Sequence, residues 1–125
     1  MTENQKRENA RLFCNYWRDK GQEDEHDQQF WNGILTDILG ASDVYKRIKF
    51  QKKVYGEFES TKKRIDAYIP ETRVLIEQKS RGIDLSAPQS GHNNMTPYQQ
   101  AKKYSNSLTT DETPYWIVLS NFAEI

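Results

Sequence analysis

The sequence predicts a single α/β domain of the α+β kind, a mixed sheet flanked by helices in the order ααβββαβ. Three observations predict it. Apolar residues recur at helical spacing through the first 40 positions. Between residues 48 and 80 the pattern changes to strand-like runs broken by turn residues. A strong helix start, Thr96-Pro97, then precedes the unbroken apolar run Tyr115–Leu119. At 125 residues the chain has the length of one small domain.

Each element has its own signal. Residues 4–20 carry Leu12, Phe13, Tyr16 and Trp17 at helical spacing, with Gly21 to stop the helix. The Trp and Tyr stripe reads as core, and Cys14 as a small buried apolar residue on the same helix. A second helix follows the acidic cluster Glu23-Asp24-Glu25-His26-Asp27, whose charge suits a helix N-terminus. Phe30, Trp31, Ile34, Leu35, Ile38 and Leu39 form its apolar face, and Gly40 suits the position just past its end. Ile48, Phe50 and Val54 alternate with polar residues as a half-exposed strand, and 56–60 read as turn or loop. Residues 61–69 and 73–80 form a hairpin around Pro70-Glu71-Thr72. Residues 81–95 are loop, the helix from Thr96-Pro97 runs to about Leu108, and Tyr115–Leu119 is a buried strand. The strand ending near Lys79 and the strand at 115–119 are joined through one helix, so they should be parallel.

Composition excludes several classes. The longest apolar run, five residues, is far short of the roughly 20 needed to span a membrane as a helix. The polar start, MTENQKRENA, lacks the apolar core of a secretory signal. A cytoplasmic protein without a membrane partner is therefore expected. One cysteine excludes an intrachain disulfide framework, and with only His26 and His92 beside it a Cys/His zinc module is excluded too. Both histidines read as surface or loop residues. Any metal should be held by oxygen.

The formal charge is zero but unevenly spread. Residues 1–40 carry net −3, residues 41–64 net +5, and residues 65–125 net −2. The basic stretch holds Lys46, Arg47, Lys49, Lys52, Lys53, Lys62, Lys63 and Arg64. Such density suits a polyanion, and it equally suits lysines that protect a strand edge from pairing.

The segment that carries chemistry is Arg64-Ile65-Asp66-Ala67-Tyr68-Ile69 followed by Arg73-Val74-Leu75-Ile76-Glu77-Gln78-Lys79. A type I turn from Ile69 to Thr72 in a four-residue loop pairs Ile69 with Val74 and sets Asp66 opposite Glu77. One face then holds Ile65, Ala67, Ile69, Val74 and Ile76. The other holds Arg64, Asp66, Glu77 and Lys79, with Tyr68 and Leu75 toward the turn. A slip of one residue would mix the faces. Two opposed carboxylates repel unless a cation sits between them. Mg²⁺, for which Mn²⁺ can substitute, takes two carboxylates, a backbone carbonyl and waters. With a lysine on the same face, this set can orient a water and stabilise charge on a phosphate. A solvated sheet face whose acids are neutralised by Arg64 and Lys79 would carry the same residues. Placement favours chemistry, because this Glu-x-Lys occurs once in the chain and ends an apolar strand.

Asp66-x10-Glu77-Gln78-Lys79 resembles the signature of the PD-(D/E)XK nucleases, and Gln100-Ala-Lys-Lys-Tyr104 resembles the Gln-x3-Tyr helix motif of their RecB-like members. Pro does not precede Asp66, a position that varies in that superfamily. Four blocks in order are similar to the N-terminal nuclease region of single-chain type II restriction–modification enzymes, in which a nuclease is fused to an adenine DNA methyltransferase. They are Ile65–Ile69, Leu75–Ser80, Thr96–Tyr104 and Trp116–Phe122. The resemblance implies a restriction-endonuclease-like fold. It implies Asp66 and Glu77 as metal ligands with the Gln78 backbone carbonyl, and Lys79 positioning water or phosphate. Gln100 and Tyr104 line the site. Many superfamily members add a first-helix Glu, for which Glu25 is the candidate and Glu23 the reserve.

The expected function is metal-dependent hydrolysis of double-stranded DNA. Lys49, Lys52, Lys53, Lys62, Lys63 and Arg64 would form the DNA-binding surface. The rival reading is a catalytically inactive DNA-binding or docking module of a methyltransferase. Residues 1–125 are expected to be one nuclease domain cut from a longer protein. Its methyltransferase and target-recognition domains would be partners in the same chain, since no Gly-rich cofactor loop or Asn-Pro-Pro-Tyr motif occurs here.

Overall fold

A hairpin organises the chain. Its strands, β2 (Lys63–Ile69) and β3 (Val74–Gln78), pair antiparallel as Ile69↔Val74, Tyr68↔Leu75 and Ala67↔Ile76, the register expected from the apolar pattern. The computed structural model describes residues 1–54 and 63–125, Lys63 by its backbone alone. The turn or loop expected at 56–60, residues 61 and 62 of the expected strand, and Lys62 as a DNA contact lie outside the described residues. The turn differs from expectation. Its hydrogen bond runs from the Arg73 N–H to the Pro70 carbonyl at 3.3 Å, and Arg73 adopts a left-handed φ of 54°. The loop keeps four residues, so the register is unchanged.

Strand β1 (Lys49–Val54) pairs antiparallel with β2, and β4 (Trp116–Ser120) pairs parallel with β3, giving the order β1-β2-β3-β4. The parallel pair is joined through α4 (Pro97–Asn106), as expected. Upstream lie α1 (Glu3–Trp17) and α2 (Glu23–Gly33), the latter continuing as a π-helical turn over Ile34–Ile38. Gly40 follows with φ 72°, the left-handed residue expected past a helix end. Two short elements were not signalled by periodicity: α3 (Val44–Arg47) and a 3₁₀ turn, Thr110–Glu112.

The sheet divides two apolar clusters. On one face Trp17, Phe30, Trp31, Val44 and Phe122 pack on Ala67 and Ile76, with Ile69 and Val74 at their margin. Rings stack edge-on there, with Phe30 and Phe122 centroids 4.9 Å apart. On the other face Ala101 and Tyr104 of α4 meet Tyr68, Leu75, Ile65 and Val54. Ile65 thus leaves the face it was expected to share with Ala67. The exchange falls where Gln51 takes φ 53°, between the Phe50↔Ala67 and Lys52↔Ile65 pairs. A positive φ within a strand rotates the residues beyond it, so Phe50 and Val54 also face opposite clusters.

Three further expectations are corrected. Strand β4 is an edge strand, not a buried one: Trp116 is 68% exposed. Cys14 is exposed, because α1 turns Phe13 and Trp17 inward and leaves Leu12, Cys14 and Tyr16 outside. His26 is no surface histidine. Its ring meets Trp17 edge-on at 5.6 Å, and its Nδ1 accepts the Gln22 N–H at 3.0 Å.

Helix α4 begins as its sequence dictates. Thr96 Oγ1 accepts the Gln99 N–H at 3.2 Å, and the Gln99 side chain accepts the Thr96 N–H at 2.9 Å, a reciprocal capping box. Thr96→Ala should cost about 1 kcal/mol of stability in urea unfolding. An unchanged midpoint would show that the box does not hold α4.

Candidate active site

Alternation along β3 decides what the site contains. Leu75, Glu77 and Lys79 point toward α4, while Ile76 and Gln78 point toward the aromatic cluster. Gln78 is wholly buried there. Its Oε1 accepts the Trp31 indole N–H at 2.8 Å, and its amide donates to the carbonyls of Lys79 at 2.8 Å and Ser120 at 3.2 Å. This fixes the end of β3 against α2 and β4, so the side chains on the opposite face hold a defined position.

On the α4 side three charged groups meet. Asp66 Oδ2 accepts the Gln78 N–H at 2.7 Å, so a side chain takes up a main-chain donor at the end of the hairpin. Glu77 Oε1 lies 3.2 Å from Lys79 Nζ, and both side chains are almost completely buried, at 5% and 6% exposure. Lys79 Nζ also donates to Gln100 Oε1 at 2.8 Å. Gln100 is buried in turn, and its amide reaches the Met95 carbonyl at 3.4 Å. Glu77 Oε2 is buried and has no hydrogen-bond partner among the described residues. A buried carboxylate oxygen left unpaired costs roughly 1–3 kcal/mol or more.

Electrostatics agree with the geometry. Burial, with the nearby Glu77 charge acting in the same direction, pushes the Asp66 carboxyl up to about 8. Burial likewise pushes Glu77 up to about 7, against the pull of Lys79. Glu23, at the start of α2, is raised by burial, lowered by Lys79, and itself raises both Asp66 and Glu77. A divalent cation would reverse these shifts by stabilising the ionised carboxylates. Among the described residues no group of three or more His, Cys, Asp and Glu is placed to hold a metal ion, so Asp66 and Glu77 are not joined by a third such ligand. Mg²⁺ commonly takes only one or two carboxylates and fills its remaining positions with water or phosphate, so a site of this kind would have two carboxylates to offer.

The structure thus brings Asp66, Glu77, Lys79 and Gln100 together. Tyr104, one turn beyond Gln100, packs with the apolar cluster under α4. Glu25 does not reach the site. Its side chain is 74% exposed, and its Oε1 lies 3.8 Å from the His26 ring Nε2. Helix residues two apart point to different sides, and Glu23 is the acid within electrostatic reach of Lys79. Among the basic residues, Lys49, Lys53 and Arg64 are exposed. Lys52 is instead held 2.8 Å from Glu112 Oε2, with its ammonium 5.8 Å from the Tyr68 ring centroid, which ties β1 to the 3₁₀ turn. The sequence reading gave no role to Ser80, whose hydroxyl accepts the Glu23 N–H at 3.0 Å.

The raised carboxyls make the metal-free fold pH-dependent. The native pKa of Asp66 lies above its ordinary value of 3.8, so the native state binds the proton more tightly than the unfolded chain. Stability from this group is therefore present at low pH and is lost as pH rises toward about 8. In the presence of a chelator, Asp66→Asn should be more stable than wild type at pH 8.5 by about 1 kcal/mol, roughly 4 °C in Tm, and should lose this advantage near pH 4. A variant no more stable than wild type at pH 8.5 would contradict the assignment.

Comparison with known proteins joins this geometry to a family. A family model described as MmeI, N-terminal domain, matches residues 7–125, almost the whole chain. No curated protein and no solved structure matches it. The chain belongs to the MmeI N-terminal domain family, the N-terminal region of a type II restriction–modification enzyme.

Proposed function

We propose that this domain is the metal-dependent endodeoxyribonuclease of a restriction–modification enzyme, with a site of the PD-(D/E)XK type. The observation that carries the reading is Glu77. One of its oxygens is engaged by Lys79, and the other is buried, unpaired and beside a second raised carboxyl. A module that only docks or binds DNA gains nothing from this arrangement, whereas a cation completes it. Asp66 and Glu77 would hold Mg²⁺ or Mn²⁺, with the Gln78 carbonyl as a third ligand and Glu23 close by. The ion, when bound, would ease deprotonation of water and stabilise charge on the scissile phosphate.

The chain's own residues do the rest. Glu77 Oε1 and Gln100 Oε1 hold two of the three donor directions of the Lys79 ammonium, so the third can be aimed at a water or a phosphate oxygen. Gln100 is bound through its own amide, which restrains the lysine further. Double-stranded DNA is the proposed substrate, and Lys49, Lys53 and Arg64 are the exposed phosphate contacts among the described residues. Target selection would come from other domains of a longer chain, with which this domain would work in the cytoplasm. No helix among the described residues is long and apolar enough to cross a membrane.

Calorimetric titration with Mn²⁺ should show binding to wild type and none to Asp66→Ala, and Lys79→Ala should cut supercoiled plasmid at least about 100-fold more slowly. Equal Mn²⁺ binding by wild type and Asp66→Ala would overturn the metal site. Full cleavage by Lys79→Ala would overturn the catalytic lysine.

The exposed bases are tested separately by DNA affinity across a salt series. Changing Lys49, Lys53 and Arg64 together to Gln should weaken binding and flatten the salt dependence by about 0.9 per lost contact. Lys52→Gln should leave that slope unchanged, because its charge is spent on Glu112. Equal slopes for the triple variant and wild type would remove these residues from the DNA surface.

A further inference from the structure

Helix α2 starts without a cap of its own. Its N-cap residue, Gln22, makes no side-chain capping bond. The first helical N–H, that of Glu23, is instead received by the hydroxyl of Ser80 at 3.0 Å. Ser80 directly follows Lys79 and comes from a distant part of the chain. The same junction is held on both sides. The Gln22 N–H is taken by His26 Nδ1 at 3.0 Å, with the ring braced against Trp17. Arg81, next in sequence, donates its N–H to the Gly21 carbonyl at 2.8 Å, and its guanidinium reaches the carbonyls of Trp17 at 2.6 Å and Lys20 at 2.5 Å. Gly21 has φ 146°, and a Cβ there would lie 2.7 Å from the Arg81 Cβ. The linker between the first two helices is therefore clamped to the two residues that follow Lys79.

Glu23 is the half-buried acid at this point, within electrostatic reach of Lys79, Asp66 and Glu77. We propose that Ser80 is a positioning residue of the active site: its hydroxyl fixes the first turn of α2 and thereby sets the Glu23 carboxylate toward the cation site. Lys79-Ser80-Arg81 then divides the work. Lys79 faces the reacting phosphate, Ser80 places the acid contributed by the helix, and Arg81 holds the linker that leads into that helix. The proposal rests on the metal-dependent reading above.

The test is Mn²⁺ titration of the full chain, with Tm recorded for each variant. Outer partners that orient ligands typically change metal affinity 10- to 100-fold. Ser80→Ala should bind Mn²⁺ about 10-fold more weakly, and Ser80→Thr, which keeps the hydroxyl, should bind as wild type. Glu23→Gln should weaken binding at least as much, and adding Ser80→Ala to it should cause no further loss. A purely structural serine would lower Tm while its effect added to that of Glu23→Gln. The proposal is overturned if Ser80→Ala binds like wild type, if Glu23→Gln does, or if the two effects add. Asp66→Ala separates the two levels. Loss of binding there with an unaffected Ser80→Ala would sink the role of Ser80 alone, whereas retained binding in Asp66→Ala would sink the metal site itself.

Discussion

The end of strand β3 must hold two carboxylates and an ammonium away from water, and much of the surrounding structure follows from that constraint. Charges are rarely buried unless they are paired, and unpaired ones shift toward neutrality. Here one ion pair, Lys79 with Glu77, accounts for one carboxylate oxygen, and the Gln78 N–H accounts for an oxygen of Asp66. Helix α4 is placed so that Gln100 supplies an acceptor to the lysine. Among the described residues, the buried side-chain oxygen left unsatisfied is Oε2 of Glu77. Removing either partner of a buried pair would leave an isolated charge, a far larger penalty than the pair itself contributes.

Strand β3 serves two environments at once because successive residues face opposite sides of the sheet. Gln78 shows how the two are coupled. Its side chain locks onto Trp31 and the ends of β3 and β4 on the aromatic side, while its main-chain N–H binds Asp66. Packing of the N-terminal helices is thus transmitted to the candidate site through one residue. Ser80 and Arg81 extend the same connection to the linker between α1 and α2.

The hairpin and its register were legible in the sequence because both strands alternate cleanly and a slip would bury charge. Asp66, Glu77 and Lys79 were legible for the same reason, and α4 because Thr96-Pro97 is a strong local start. Other features depend on residues far apart in the chain. The Glu23 N–H at the start of α2 is received by Ser80, a contact no local pattern announces. Lys52 is drawn from the basic stretch by Glu112. The face exchange of Ile65 on β2 lies across from Gln51 on β1, whose positive φ belongs to a residue type with no marked preference for it. An apolar run such as Tyr115–Leu119 marks a strand without telling a central position from an edge.

On the metal-dependent reading the orphaned oxygen of Glu77 would share one cation with the Asp66 carboxylate. Anomalous diffraction from crystals grown with Mn²⁺ tests it most directly. A manganese peak should lie within bonding distance of both the Asp66 and Glu77 carboxylates, with Lys79 still held between Glu77 and Gln100. A peak confined to surface acids such as Asp84 or Glu25, with none between Asp66 and Glu77, would contradict it.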